Sequence, residues 1–380
     1  MRFERERVSN NPLMILSTND VRRVYEVIME SYPPVRIRDI ARKLGETDDF
    51  VRRRVRRLLE NGFWFQVDFS QQRIGLVNLC VYLKELYEPD PTTGVKGLPE
   101  AAWWLLRWQV NTIVPMRIGI LYFYVPQGRE ELQIVLDMIK RRLKISRAVV
   151  MDVVIYSKPE LWTLKFNKHD GTVVTDWDKI AESILTAYKS GEFPPIPREK
   201  PVSLDVVDVL ILAFLQRNAL SPLTKVAEAI GTSVSKVRRH LHYHLYRTRV
   251  IRGTMLSRYP ARSQQTLYYY ITGRADPEAV ALALSVLRRT FEFRGAMMNS
   301  LTGDFSIIFA VNWDTQDSFV RNMVYLSEVL GDYYTYILDP SSMKSYTIPF
   351  LMFSRESKAW SLEASVLEMM KHRLKSIMRV

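Results

Sequence analysis

Residues 37–65 read IRDIARKLGETDDFVRRRVRRLLENGFWF, and this stretch decides the fold. Apolar residues recur every three or four positions through residues 37–44, which predicts a helix with one buried face. Gly45 suits the left-handed conformation that ends a helix, and Thr47 is a favourable N-cap for the next one. Residues 63–69 and the run from Arg73 onward look like the paired strands of a wing. We therefore predict a winged helix-turn-helix.

The second of these helices contains the sequence VRRRVRR at residues 51–57. At about 100° per residue, Val51 and Val55 share the buried face, and arginines cover the rest of the helix. A charged run that simply faces water is the plain alternative, but arginines three or four residues apart repel each other unless a polyanion neutralises them. We therefore predict DNA contacts from this helix through Arg52, Arg53, Arg56 and Arg57.

The pattern occurs a second time at residues 223–251, which read LTKVAEAIGTSVSKVRRHLHYHLYRTRVI. The apolar positions, the glycine and the Val-Arg-Arg triplet align with the first copy at one offset, without a gap. The elements predicted after each copy are strand, helix, strand, strand, helix and strand, an order typical of an antiparallel sheet backed by two helices. The chain is therefore predicted to be a tandem duplication.

The second copy has a less basic recognition helix, for which Ser233 is the expected N-cap. Polar side chains on this helix could read base edges more selectively than a row of arginines. The predicted contacts are Ser235, Lys236, Arg238, Arg239 and His242.

These patterns predict an α+β protein with two winged helix-turn-helix domains. A ferredoxin-like βαββαβ antiparallel-sheet domain follows each of them, and the halves form an internal pseudo-dimer. The predicted boundaries are 17–72 for the first winged helix-turn-helix, 73–158 for the first βαββαβ domain, 159–202 for an extension and proline-rich linker, 203–262 for the second winged helix-turn-helix, 263–339 for the second βαββαβ domain, and 340–380 for a C-terminal extension with a helix.

Charge and composition agree with a DNA partner. The chain has 380 residues and a formal net charge of +13, which favours polyanions. No apolar stretch approaches the ~18 residues of a membrane-spanning helix, and the charged N-terminus lacks the apolar core of a signal peptide. A single cysteine, Cys80, allows no internal disulfide. We expect a cytoplasmic, nucleoid-associated protein with no membrane partner.

His240 and His244 are four residues apart, a spacing that can bind zinc from one face of a helix. The neighbouring sequence has no carboxylate or cysteine to complete a ligand set, and Arg239 disfavours a cation. Phosphate-binding loops and hydrolase motifs are absent from the sequence. We therefore predict no metal site, no cofactor and no catalytic residues.

Each half resembles a protein of the Lrp/AsnC family. The resemblance rests on the sequence IARKLG at 40–45 followed by VRRRV at 51–55, and on the order of the elements that follow. It implies a transcription regulator that binds double-stranded DNA, with a small-molecule effector at the βαββαβ domains. With two units in one chain, the protein would be a monomeric pseudo-dimer or a homodimer. A chromatin-organising, architectural DNA-binding protein is an alternative with the same footprint.

A second alternative belongs to another class. Siroheme decarboxylases resemble Lrp/AsnC proteins and use paired subunits of this architecture. That resemblance implies cationic and histidine side chains around a tetrapyrrole that carries several carboxylates. Outside the second recognition helix, the only histidines are His169 and His372, neither in a predicted sheet domain. We therefore predict that the chain is not an enzyme.

Overall fold

The computed structural model describes residues 12–90, 94–167, 172–258 and 266–362. The α-helices are α1 (Asn19–Met29), α2 (Ile37–Leu44), α3 (Asp48–Glu60), α4 (Glu100–Leu105), α5 (Arg129–Lys140), α6 (Trp177–Ser190), α7 (Val206–Leu215), α8 (Leu223–Ala229), α9 (Val234–Arg239), α10 (Pro277–Leu287), α11 (Trp313–Tyr325) and α12 (Ser327–Leu330). A π-helix, His240–Tyr246, continues α9.

The strands are β1 (Phe63–Phe69), β2 (Leu76–Leu83), β3 (Pro89–Asp90), β4 (Gly94–Val95), β5 (Leu106–Val114), β6 (Gly119–Pro126), β7 (Ile145–Met151), β8 (Val153–Tyr156), β9 (Leu164–Phe166), β10 (Val173–Thr175), β11 (Ile251–Arg258), β12 (Thr266–Arg274), β13 (Phe293–Met298), β14 (Asp304–Asn312), β15 (Tyr333–Leu338) and β16 (Lys344–Ser345). Short 3₁₀ turns lie at Pro12–Ser17, Leu161–Thr163, Pro340–Ser342 and Phe350–Met352. The predicted helix from 362 to 374 lies almost entirely outside the described residues.

Helices α1 to α3 form the three-helix unit that the sequence predicts. Gly45 ends α2 with a φ of 68°, and the side chain of Thr47 accepts a hydrogen bond from the backbone N–H of Phe50. Val51 and Leu58 are fully buried against the other two helices. Local propensity and the amphipathic pattern thus suffice to place these helices.

The predicted wings are wrong. Strand β1 does not pair with the chain that follows it; it pairs antiparallel with β11 of the second half, from Phe63 opposite Arg258 to Phe69 opposite Ile251. After β1 the chain turns through Ser70–Gly75 and enters the large sheet as β2. The alternating apolar pattern of β1 predicts a strand with one buried face, but not which strand lies beside it. The predicted second strand of the second wing begins in residues 259–265, outside the described residues.

The protein is α+β, with two four-stranded antiparallel sheets joined at their edges. The first sheet has the order β7-β2-β6-β5, and the second has the order β15-β12-β14-β13. Strands β5 and β15 pair, which makes the two sheets continuous, and β8 crosses from the first half to pair with β13. The segment predicted as one strand from 148 to 156 is broken at Asp152, so that its end joins the other half.

The two tails are exchanged between the halves. Helix α6, from the first half, packs against α10 and α11, and Trp177 contacts the rings of Phe309 and Phe319. In return, β16 pairs with β5, and the indole of Trp360 donates a hydrogen bond to the carbonyl of Ile74. Each tail therefore closes the core of the half to which it does not belong in sequence. No helix in the described part of the chain is long and apolar enough to cross a membrane.

Candidate functional site

Each of the two sheets has an outer and an inner face, and the two faces carry different kinds of side chain. Their outer faces carry aliphatic and phenylalanine side chains and are covered by helices. Because side chains alternate along a strand, the intervening residues point to the inner faces, where the sheets contact each other. These inner residues are mainly aromatic or polar, and they include Asn78, Cys80, Tyr82, Trp108, Tyr122, Tyr124, Tyr268, Tyr270, Thr272, Ser306 and Tyr336.

Three tyrosine hydroxyls meet at the centre of this interface. The hydroxyl of Tyr270 lies 2.7 Å from that of Tyr82 and 2.7 Å from that of Tyr122. Tyr122 also donates to the Ser306 hydroxyl at 2.8 Å, and Tyr82 lies 3.0 Å from the Thr272 hydroxyl. We call Tyr82, Tyr122 and Tyr270 the tyrosine cluster. It joins β2 and β6 of the first half to β12 of the second.

Burial keeps this cluster in its neutral form. It raises the pKa of all three phenols well above their ordinary value, because the phenolate would lose its hydration. Burial also raises the pKa of the Cys80 thiol, whose sulfur lies 3.7 Å from the hydroxyl of Tyr270. These three phenols and the thiol therefore keep their protons at physiological pH.

Arg107 lies at one end of the interface without an acidic partner. Its Nη1 atom donates to Oδ1 of Asn78 at 2.5 Å and to Oε1 of Gln71 at 3.4 Å, and its guanidinium lies 5.3 Å from the centre of the Tyr124 ring. Among the described residues no carboxylate forms an ion pair with Arg107. In the described ranges this half-buried cation contacts neutral acceptors and an aromatic ring, and that arrangement favours an anionic ligand.

The other end of the interface carries a paired arginine. Nη2 of Arg147 lies 2.5 Å from Oδ1 of Asp304, and Arg274 approaches the second oxygen of that carboxylate at 3.4 Å. The guanidinium of Arg147 is also 5.8 Å from the centre of the Tyr82 ring. The tyrosine cluster therefore lies between Arg107 at one end of the interface and Arg147, which is paired with Asp304, at the other.

The arginines predicted to contact DNA lie on the surface of α3. Arg52, Arg53, Arg56 and Arg57 are exposed, and within the described chain none of them forms an ion pair. Arg54 differs, because it pairs with Asp20 at 2.9 Å and stacks 3.6 Å from the centre of the Phe50 ring.

The predicted contacts of the second unit are exposed too: Ser235, Lys236, Arg238, Arg239 and His242. The expected N-cap is present, since Ser233 accepts from the N–H of Lys236. The recognition helix itself is divided into a short α-helix and a π-helix. Contact of either residue set with DNA stays a prediction, as does an effector at the sheet domains.

The sequence argument about the histidines fails in one respect. His240 and His244 do have carboxylates beside them, because α7 packs against the π-helix and brings Asp208 to both rings and Asp205 to the ring of His240. Asp205 and Asp208 were missed because acidic residues at the start of a helix are normally read as caps, and because they precede the histidines by 32 residues or more.

No protein-family model matches the chain, and no curated protein matches it. The fold is similar to the crystal structure of the siroheme decarboxylase NirDL, at 12% identity and a TM-score of 0.48, over 93% of this chain and 99% of that chain. NirDL in complex with an iron-uroporphyrin III analogue gives 12% identity and a TM-score of 0.47, over 94% and 100% of the two chains.

Both similar structures are enzymes, and this corrects our main functional predictions. The prediction of a DNA-binding transcription regulator is wrong, and so is the prediction that the chain is not an enzyme. The alternative that we ranked below it agrees better with these findings. Our arguments against that alternative were the lack of histidines in the predicted sheet domains and the basic helices, which have no role in that chemistry.

Proposed function

We propose that this protein is an enzyme that binds a flat substrate with several carboxylates, of the tetrapyrrole class, between its two sheets and removes a carboxylate from it. The observation that carries the proposal is Arg107, a half-buried guanidinium at the sheet interface without a carboxylate partner among the described residues. The substrate class is that of the siroheme decarboxylases, and the support comes from the residues of this chain.

Arg107 supplies the anion-binding group. A guanidinium binds a carboxylate through two parallel, charge-assisted hydrogen bonds, which are stronger than its bonds to neutral amides. The amides of Asn78 and Gln71 that now accept from Arg107 are uncharged acceptors. A substrate carboxylate could therefore replace them without leaving a buried charge unpaired.

The aromatic side chains supply the surface for a flat ring system. Trp108 and Tyr122 lie with their ring centres 5.4 Å apart on one sheet, and Tyr270 and Tyr336 lie 6.2 Å apart on the other. Conjugated rings stack favourably on such faces. Since the hydroxyls of the tyrosine cluster contact each other across the interface, a ligand between the sheets must separate them. Binding should therefore change the tyrosine spectrum.

The tyrosine cluster would supply the proton. In decarboxylation the bond between carbon and carboxylate breaks, carbon dioxide leaves, and the electron pair on carbon takes up a proton. A neutral phenol can donate that proton and recover it from solvent. No histidine among the described residues lies on the inner faces, so a phenol of the cluster is assigned this role.

The experiment is a titration of the full chain with iron-uroporphyrin III, followed by the absorbance of the porphyrin and by near-ultraviolet circular dichroism of the tyrosines. Turnover is then followed with siroheme in place of the analogue, as the loss of carbon dioxide by mass spectrometry. Arg107→Gln should weaken binding about tenfold or more, as expected when a charged hydrogen bond is lost. The matched control is Arg117→Gln, which removes an exposed arginine from the turn after the same strand. Absence of binding, or equal weakening in both variants, would refute the proposal.

A further inference from the structure

Four side chains with metal-binding atoms converge in the second helix-turn-helix unit, away from the sheet interface. Asp205 is the N-cap of α7, and Asp208 lies in its first turn. His240 and His244 lie on the π-helix that packs against α7. The ligand atoms of all four lie within 4.8 Å of one another. We call these residues the His–Asp cluster.

The distances within the cluster are close to those between the ligands of one metal ion. Nδ1 of His240 is 2.9 Å from one oxygen of Asp208, and Nδ1 of His244 is 3.0 Å from the other. Asp205 brings a further oxygen to 3.6 Å from Nδ1 of His240. Ligands at about 2.0–2.2 Å from a zinc ion in tetrahedral geometry lie about 3.3–3.6 Å apart. The Asp205 distance falls in that range, and the two hydrogen-bonded pairs would have to open by about half an ångström to admit the ion.

The charges in the cluster also favour a cation. Asp208 is fully buried, and among the described residues no lysine or arginine pairs with it or with Asp205. A buried carboxylate needs a compensating positive charge. The two imidazole rings and the backbone N–H of Asp205 lie within hydrogen-bond distance of Asp208, and one divalent ion among the four side chains would neutralise both carboxylates.

We infer that the His–Asp cluster binds one divalent transition-metal ion. Two imidazole nitrogens with two carboxylate oxygens suit zinc, cobalt and similar ions, whereas magnesium and calcium prefer oxygen ligands alone. The ion is reached from solvent through His244 and Asp205, whose side chains are 41% and 35% exposed. This exposure leaves room for a water molecule as a further ligand. π-helical turns often occur at functional positions, and this one carries both histidines.

The test uses cobalt as a spectroscopic probe. The full chain is stripped with a chelator and titrated with cobalt(II), whose visible absorption reports nitrogen and oxygen ligands, and zinc is then added as a competitor. We expect one tightly bound cobalt ion that zinc displaces. His244→Gln should weaken cobalt binding at least tenfold. His242→Gln is the matched control, because His242 is exposed on the same π-helix and lies outside the cluster.

A second variant separates loss of a ligand from loss of the fold. Asp205→Asn keeps a side chain that can cap α7 but removes a charged ligand, so it should bind cobalt more weakly while the apo-protein melts close to wild type. Zinc should raise the melting temperature of the wild type and of His242→Gln, but not that of His244→Gln. The inference is overturned if wild type binds no cobalt, or if His244→Gln and Asp205→Asn bind it as tightly as wild type. Since no tetrapyrrole is used, the result is independent of the proposed enzymatic function.

Discussion

The hydroxyl oxygens of Tyr82 and Tyr270 lie 2.7 Å apart, although 188 residues separate them in the chain. They come from the central regions of the two sheets, and Tyr122 completes the contact from a third strand. A sandwich core of aliphatic side chains would be easier to stabilise, since each buried hydroxyl must find a partner. A complete polar network at this position is therefore consistent with a chemical role.

The first prediction concerns the hydroxyl at the centre of this network. Tyr270→Phe removes the group that both Tyr82 and Tyr122 contact, and leaves two buried hydroxyls with one partner fewer. The free energy of unfolding should fall by about 1–3 kcal/mol. Tyr334→Phe is the control, because Tyr334 is 66% exposed, and it should change stability by less than about 0.5 kcal/mol. If urea titrations give the same loss of stability for both variants, the hydrogen bonds between the three tyrosines are contradicted.

The second prediction concerns alkaline pH. In the folded protein the pKa of Tyr122 is raised well above its ordinary value of 10.0 by burial. The unfolded chain therefore loses this proton first, so the stabilisation is fully present below pH 10 and is lost as pH rises through the folded pKa. Urea titrations from about pH 8 to about pH 11 should show stability falling more steeply in wild type than in Tyr122→Phe. Parallel curves would show that the phenol ionises equally in both states.

The third prediction compares how much two neighbouring arginines on α3 contribute to stability. Arg54 pairs with Asp20 and stacks on Phe50, with its side chain 20% exposed. Arg53 is exposed and forms no ion pair in the described chain. Arg54→Ala should lower the free energy of unfolding by about 1–2 kcal/mol through loss of the stacking and the ion pair. Arg53→Ala should stay within about 0.5 kcal/mol. Reversed effects in thermal unfolding would show that α3 is oriented differently.

The fourth prediction concerns the ribbon formed by β1 and β11. Asp68 is nearly buried and accepts from Arg252 at 3.0 Å and Arg288 at 3.4 Å, which ties the ribbon to the second sheet domain. Asp68→Asn leaves two arginines without their counter-charge and should cost about 3 kcal/mol or more. Asp317→Asn, an exposed change on α11, should have little effect in the same denaturation experiment. If the two variants have the same free energy of unfolding, Asp68 does not tie the ribbon to the second sheet domain.

Local patterns alone predicted the helices α1, α2 and α3 and much of the order of strands and helices in both halves. Thr47 and Ser233 are N-caps as expected. Capping and amphipathic burial depend on residues within a turn or two of each other, so these features can be read from the chain directly. The predicted repeat of elements agrees with the strand arrangement, since the two four-stranded sheets have equivalent orders.

The partners of those elements were decided by the tertiary structure alone. The sequence of β1 specifies a strand with one apolar face, yet β11 rather than a wing pairs with it, since free backbone groups accept any strand of suitable geometry. Likewise, Asp208 and His240 each have an ordinary local role, and only the packing of α7 on the π-helix makes them neighbours. Local sequence thus determined whether most segments form a helix or a strand. Contacts between distant segments determined both candidate sites, because the side chains of a site must lie close together in space.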